Sequence, residues 1–206
     1  MPKRAAGLLF LFFASCQDAA LPAAEVPTFV KAKAPTSIET APAQWSAGEN
    51  WAWDVRWRGL SVGTARLGVH ADAHALRIES NFRTAGMAND LRPFQHRLVT
   101  HQGGSKQPRN DLHSALGRLR SWASPSAAPA RITLWHERRK YIVDLAQPIL
   151  DQGEQVRLRV EGRVRSGSFT MDVSLLLSAD ASHTPLAVTL IHKGQQVHAT
   201  LLESDS

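Results

Sequence analysis

The sequence predicts an all-β fold, mainly antiparallel, in which a highly curved sheet forms an open half-barrel or a sandwich with one short helix. Three observations support this fold class. From Trp45 onward, short segments alternate apolar and polar residues with a period of two, which is typical of half-buried strands. Short turns join these segments, as in an antiparallel meander. Only Asp111–Trp122 has apolar residues at helical spacing.

The clearest strand is predicted at Asn50–Trp57. One face of this strand carries Trp51, Trp53, Val55 and Trp57. Small or charged residues take the alternate positions, so one face is expected to be buried and the other solvated. Residues 58–60 follow as a predicted turn, because Gly59 adopts conformations that a side chain would hinder.

The other predicted strands keep the same period of two. They lie at 62–70, 74–83, 94–101, 131–136, 140–145, 155–164, 169–177, 186–192 and 196–202. Residues 84–92 between two of them are predicted to form a turn region. Asp111 is expected to cap the helix, whose apolar face begins with Leu112 and Leu116.

The N-terminus has the three parts of an export signal. Lys3 and Arg4 give it a positive start, residues 7–13 are apolar, and small residues stand directly before Cys16. The apolar run is too short to span a bilayer as a mature helix. The pattern therefore predicts a bacterial lipoprotein signal at 1–15, whose cleavage leaves the Cys16 thiol acylated and the protein attached to a membrane.

Ordinary secretion is the alternative to acylation. Cleavage after Ala20 or Ala24 would remove Cys16 together with the signal peptide. In the acylated form, Gln17 follows the modified cysteine and favours the outer membrane over the inner one. The predicted location is the periplasm, with a lipid anchor.

The remaining chain is predicted to be one domain behind a spacer. Residues 16–44 are rich in Ala, Pro, Thr and Lys and predict a flexible tether, and residues 45–206 form the β-rich domain. Apolar residues make up 43% of the 206-residue chain, which is enough for a core. With a single cysteine there is no intramolecular disulfide, so the fold must depend on packing.

The sequence predicts no catalytic residues, no metal ligands and no cofactor. The nine histidines lack the spacing of zinc motifs, and the chain has neither a nucleophile elbow nor a phosphate-binding loop. If the domain were an enzyme, the groups to inspect are His96, His101, Asp144 and Asp180. Nucleic acid is not expected as a partner, because the net charge of +6 is scattered and the tryptophans alternate inward.

The aromatic face of the strands has two interpretations. It is either core or the concave surface of a sheet that holds an apolar ligand such as a lipid chain, and core packing is favoured. The candidate ligand face consists of Trp51, Trp53, Trp57, Phe82, Phe169 and Met171.

Short motifs in a fixed order also connect the chain to a known family. They are Gly48-Glu49, Trp53–Trp57, Gly59–Leu67, Asp111–Arg120, Gly167–Phe169, Leu177–Asp180 and Pro185-Leu186. In this order they resemble the bacterial family called domain of unknown function 3108, over about residues 45–203. Residues 124–130 depart from the family pattern. The resemblance implies an exported, mainly antiparallel β-domain and supplies no established activity or catalytic residue.

Together these observations predict a non-catalytic envelope lipoprotein. The first hypothesis is that the curved sheet binds an apolar or lipid-like ligand. The alternative is a structural or protein-interaction module that joins an envelope protein by adding a strand at an exposed edge. A hydrolase that acts on an envelope polymer is the third hypothesis. A continuous apolar cavity would favour the first, and a filled core with an unpaired sheet edge would favour the second.

Overall fold

The computed structural model describes residues 35–73, 75–103, 110–153 and 155–205 of the chain. The predicted signal at 1–15, Cys16 and the first part of the predicted tether lie outside the described residues.

The described residues form twelve strands and two helices. The strands are β1 Thr36–Ser37, β2 Asn50–Trp57, β3 Leu60–Asp72, β4 Ala75–Thr84, β5 Gln95–Gln102, β6 Ala130–His136, β7 Arg139–Leu145, β8 Ile149–Gln152, β9 Val156–Ser166, β10 Phe169–Ser178, β11 Pro185–His192 and β12 Gln195–Asp205. The helices are α1 Gly86–Leu91 and α2 Leu112–Trp122.

All twelve strands belong to one sheet. The strand order is β1-β6-β7-β9-β10-β11-β12-β2-β3-β4-β5, and β8 pairs with β9 beside this path. Every pairing is antiparallel except the short parallel one between β1 and β6. The predicted all-β class, with a curved sheet and a short helix, is confirmed.

The two ends of the strand order come close together without joining. Helix α2 packs against β5 at one end and against β6 near the other. Within the described ranges no ladder connects these two strands, although the Trp135 N–H donates to the Asn110 carbonyl at 2.6 Å. We call the space between β5 and the β6–β7 hairpin the seam.

The predicted helix is confirmed as α2. Asp111 has extended backbone angles, and its Oδ1 accepts a hydrogen bond from the Ser114 N–H at 2.8 Å. This bond satisfies one of the free N–H groups of the first turn, which is why the helix begins there.

Helix α1 was not predicted, since residues 84–92 carry no apolar period. Its Met87 and Leu91 are exposed, and no side chain of the helix is buried. The segment is held instead by its ends: the Ala85 N–H donates to the Val62 carbonyl, and the Thr84 N–H donates to the Phe94 carbonyl.

Residues 36–44, predicted as the end of the tether, pack along the domain in the structure. Ile38 is buried, and its N–H donates to the Arg131 carbonyl at 3.0 Å. Further along, the Gln44 N–H donates to the Gly117 carbonyl of α2. The domain therefore starts before Trp45, because this polar-looking segment finds its hydrogen-bond partners in strand β6 and helix α2 rather than in water.

The predicted inward face of β2 is core. Trp51, Trp53 and Val55 are buried, and the first two pack in a cluster with Trp45, Leu67, Val69 and Ile78. A larger cluster fills the rest of the interior, with members that include Phe82, Leu119, Ile132, Val160, Met171 and Leu177. The strand period thus predicts burial correctly for Trp51, Trp53 and Val55, whereas Trp57 on the same face is half-buried.

Glycine at position 117 lets α2 lie close to the segment that precedes β2. A Cβ atom added there would lie 2.3 Å from Nε1 of Trp45 and 2.9 Å from Cβ of Ala43. Both distances are shorter than real carbon contacts, so the helix or the indole would have to move.

Replacing Gly117 with alanine is therefore expected to destabilise the protein by about 1–3 kcal/mol. Helix propensity alone would give the opposite sign, a gain of roughly 1 kcal/mol. Urea denaturation of the variant and the wild type measures the difference. Gly153→Ala is the matched control, because an added Cβ there meets nothing within 4 Å. A stabilised G117A variant would show that the close approach does not exist.

Candidate functional site

Two groups of polar side chains surround α2, and we define them by their residues. The arginine cluster comprises Arg120, Glu49, Trp45 and Trp51. The histidine chain comprises Ser80, His113, Thr100 and Asp111. A third group, formed by His96, His136 and Glu137, lies at the seam.

Arg120 is the largest of the fully buried side chains, and its hydrogen-bonding capacity is fully used. Its Nη1 and Nη2 donate to Oε2 and Oε1 of Glu49 at 3.0 and 2.8 Å. Nη1 also donates to the Gln44 carbonyl at 2.8 Å, while Nε and Nη2 donate to the Ser182 carbonyl at 3.0 and 2.7 Å. These bonds match the five N–H groups of a guanidinium, so its charge is buried without an unsatisfied donor.

Two indoles complete the enclosure of this charge. The guanidinium carbon of Arg120 lies 4.8 Å from the ring centroid of Trp51 and 5.1 Å from that of Trp45. The two indoles are themselves in contact, with centroids 5.6 Å apart. Cation–π attraction adds to the ion pair, and the rings keep water away from it. The face of Trp51 is thus occupied from within the protein.

The β10–β11 loop is fixed by the same arginine. Nδ1 of His183 lies 2.7 Å from the Arg120 carbonyl, so it donates to the C-terminal end of α2. Asp180 accepts from the Ser182 N–H at 2.8 Å, and the hydroxyl bond from Ser182 lowers the pKa of this carboxyl. Asp180, one of the residues to inspect for catalysis, is therefore a turn residue in this structure.

The histidine chain runs through the inside of the sheet. The Thr100 hydroxyl donates to Asp111 Oδ2, so its oxygen is left to accept from Nδ1 of His113 at 2.8 Å. Nε2 of His113 is 2.9 Å from Oγ of Ser80 and accepts a hydrogen bond from this hydroxyl. The order Ser80 to His113 to Thr100 to Asp111 is consistent with a neutral imidazole protonated on Nδ1.

Burial lowers the pKa of His113 to about 4, although Asp111 acts in the opposite direction. A neutral imidazole that accepts from a serine hydroxyl has the chemistry of a general base. However, the His113 side chain is buried, and neither of the two cavities described below is lined by His113 or Ser80. The histidine chain therefore holds strands β4 and β5 and helix α2 together.

At the seam, side chains from the two ends of the sheet meet. The rings of His96 on β5 and His136 on β6 have centroids 5.8 Å apart. Nε2 of His136 lies 3.9 Å from Oε1 of Glu137, the first residue of the β6–β7 turn. Burial lowers the pKa of His136, an effect that Glu137 opposes. One ligand atom from each of the three residues falls within 4.8 Å of the others.

The other residues to inspect do not join this group. Asp144 accepts from Nε of Arg131 at 2.6 Å and also from Arg165, so it belongs to an ion-pair row on the sheet. His101 is exposed on the opposite face of β5. His96 is the one member of the four that lies in a histidine pair.

The candidate ligand face is divided between core and partly buried positions. Four of its residues are buried: Trp51, Trp53, Phe82 and Met171. Trp57 is half-buried, with the Arg58 guanidinium 4.9 Å from its ring, and Phe169 stacks on His192 at 4.6 Å. Cys16 lies outside the described residues. Ligand binding by this face remains a prediction.

Two open cavities lie on the described surface. One, of about 380 Å³, is lined by residues that include Asn50, Arg66, His70, Glu79 and Asn81. The other, of about 520 Å³, lies beside α1 and includes Asn89, Asp90 and Phe94. Both linings mix charged and amide side chains with apolar ones such as Trp51, Leu67 and Phe94, unlike the predominantly apolar lining of a lipid groove.

The sequence could not show the arginine cluster or the seam. Arg120 and Glu49 are 71 positions apart, and each looks like an ordinary surface charge in the sequence. The only local signal is the placement of Arg120 in the last turn of the helix, directly after Leu119 on the apolar face. His136 carries no signal at all, since it ends a strand next to a charged turn.

Comparisons with known proteins leave the family open. No family model matches the chain. No curated protein matches it. The resemblance to domain of unknown function 3108 therefore stays a prediction.

The chain matches solved structures at very low sequence identity and with TM-scores below 0.5. A protein of Parabacteroides distasonis, proposed to be a lipoprotein, is 10% identical with a TM-score of 0.42, over 84% of this chain and 100% of that one. The β-barrel-like protein of domain of unknown function 1849 from Brucella abortus is 8% identical with a TM-score of 0.49, and the match covers 80% of this chain and 99% of that one. A protein of Bacteroides fragilis with a YmcC-like fold, proposed to be exported, is 7% identical with a TM-score of 0.36, over 80% and 98%.

Neither helix within the described residues has the length and apolar character needed to cross a membrane.

Arg120→Met is expected to lower the free energy of unfolding by about 3–5 kcal/mol, because it leaves the Glu49 carboxylate buried and unpaired. Arg120→Lys should also lower the free energy of unfolding, since lysine cannot form the bidentate pair with Glu49 or stack on the indoles. Combining Arg120→Met with Glu49→Leu should cost less than the sum of the single changes. Urea unfolding measures all three, and Arg97→Met, at an exposed ion pair, is the control. An R120M variant as stable as wild type would contradict this role.

The buried His113 is expected to make the protein less stable in mild acid. Its pKa is about 4 when folded and about 6.5 when unfolded, so the unfolded chain binds more protons between these values. The neutral His113 imidazole contributes fully to the free energy of unfolding above pH 6.5. This contribution is lost as the pH falls to 4, and the loss is on the order of 3 kcal/mol. Urea unfolding at pH 7 and pH 4.5 should show a smaller loss in His113→Gln than in wild type. His101→Gln should keep the wild-type loss; equal losses in all three proteins would refute the assignment.

Proposed function

We propose that this chain is an exported, non-catalytic envelope protein that is anchored through acylated Cys16 and acts by binding another envelope protein. The N-terminal signal pattern supports export and the anchor. The β-domain supports the rest of the proposal through its interior, its sheet edges and its ionisable groups.

The filled interior is the observation that carries this proposal. An apolar carrier needs an empty groove, but Trp51 and Trp53 are 3% and 8% exposed and pack within the core. The Arg120 guanidinium, itself 0% exposed, covers the indole of Trp51 from inside. A lipid chain could enter only by displacing a buried charge from its partners, which is unfavourable. The structure therefore favours the interaction module over the apolar carrier.

Strand β5 offers the surface for such an interaction. It is the last strand of the order, and among the described residues it pairs with β4 alone, over eight residues. The opposite end is protected, because β1 pairs with β6 and the Glu39 carboxylate accepts from the Thr133 N–H at 3.2 Å. A terminal strand of this length can pair with a strand from another protein. Val99 of β5 is also 42% exposed and can add an apolar contact.

The ionisable groups support a role without catalysis. The best candidate base, His113, is enclosed with Ser80 inside the sheet. Acidic residues of the strands pair with arginines, as Asp172 does with Arg163 and Asp144 does with Arg131. Such pairs add little stability, but they engage the carboxylates on the outer surface of the sheet and leave few acidic groups of the described residues poised for proton transfer.

The proposal is tested by placing a photo-cross-linking residue at position 99 in the full chain, expressed with its signal in a bacterial envelope. Position 191 is the matched control, since Ile191 is also an exposed apolar strand residue but belongs to β11, which has a partner strand on each side. Irradiation should join position 99, and not position 191, to one protein of defined mass. The intact mass of the extracted chain should also include the acyl groups on Cys16.

Native mass spectrometry of the same extract provides the opposing result. A lipid mass that stays with the folded chain and is lost on denaturation would replace the interaction proposal with the apolar carrier. An extracted chain that lacks Cys16 would overturn the anchor and leave ordinary secretion.

A further inference from the structure

The three residues at the seam come from opposite ends of the sheet. His96 projects from β5, the last strand of the order, whereas His136 ends β6 near the other end. Glu137 and Arg138 both have positive φ, 43° and 67°, as in a two-residue hairpin turn. This tight turn places the Glu137 carboxylate beside the ring of His136.

The spacing of the three ligand atoms suits a single metal ion. They lie within 4.8 Å of one another, and tetrahedral zinc ligands are about 3.3 Å apart when each bond is about 2.0–2.1 Å. Rotation of the imidazoles and of the long glutamate side chain can close this difference without movement of the strands. Two imidazoles and one carboxylate form a typical zinc ligand set with one position left for water.

The burial of His136 is otherwise unexplained. Its Nε2 is shielded from solvent and has no hydrogen-bond partner among the described residues. A buried polar atom without a partner destabilises a protein, and a metal bond would remove that penalty. Glu137 is 47% exposed, so an ion can reach the site from solvent.

We propose that His96, His136 and Glu137 bind a divalent transition-metal ion, with Zn²⁺ as the best match, across the seam. The ion would link the terminal strand β5 to the β6–β7 hairpin and so fasten the two ends of the open sheet. The ion is expected to stabilise the fold, because a ligand that binds only the folded state stabilises that state. The sequence analysis predicts no metal ligands, since the residues do not form a sequence motif.

Isothermal titration of the full chain in detergent with Zn²⁺ tests this site. Wild type should bind one ion, and His96→Gln, His136→Gln and Glu137→Gln should each weaken the binding by about tenfold or more. His101→Gln is the matched control, because it lies on the same strand, exposed on the opposite face, and should bind as wild type does. Saturating Zn²⁺ should also raise the melting temperature of wild type and H101Q, but not that of the three ligand variants.

Titration with Co²⁺ gives a second readout of the ligand geometry. The visible absorption of a four-coordinate Co²⁺ site should appear in wild type and disappear in H136Q. Far-UV circular dichroism shows whether each variant folds. If the histidine variants do not fold, E137Q, which changes an exposed turn residue, is the test variant. The proposal is overturned if wild type shows no saturable binding, or if E137Q and H136Q bind Zn²⁺ as tightly as wild type does.

Discussion

A single buried charge organises the interior of this domain. Burying the Arg120 guanidinium is favourable only because Glu49 and two backbone carbonyls accept all of its N–H groups. Those acceptors come from the segment before β2 and from the β10–β11 loop, while the arginine itself ends α2. Each of these parts must therefore adopt its native position before the charge is satisfied. We infer that the ion pair specifies an arrangement more than it adds stability, a role known for buried polar groups in some other proteins.

This constraint also determines what the aromatic face can do. A sheet that curves around an empty space could bind a lipid, but here the helix and its arginine occupy the space beside Trp45 and Trp51. Gly117 allows the same helix to lie against the indole of Trp45 without a side chain between them. The tryptophans are thus the walls of an internal ion-pair site. Contacts with other molecules are therefore expected at the surface, where β5 pairs with β4 alone among the described residues.

Local patterns in the sequence predict the elements well, and they cannot predict long-range pairing. The period of two identifies β2 and the buried face that carries Trp51, and Asp111 identifies the start of α2. Residues 36–44 are not predicted to belong to the domain, because their hydrogen bonds to β6 and α2 depend on tertiary structure and produce no periodic pattern in the sequence. The same limit applies to the candidate site. His96 and His136 become neighbours only when the sheet curves enough to bring its two ends together.

The two proposals place different demands on one strand. Metal binding at the seam would use the inward side chain of His96, whereas strand addition would use the backbone groups along the free edge of β5. The free edge of β5 lies on the side away from β4 and therefore borders the seam, where the two ends of the sheet already approach each other. An ion that links His96 to His136 would hold this edge near β6, whereas a partner strand must lie about 4.8 Å from β5 in the same space. Metal binding and strand addition therefore compete for the seam.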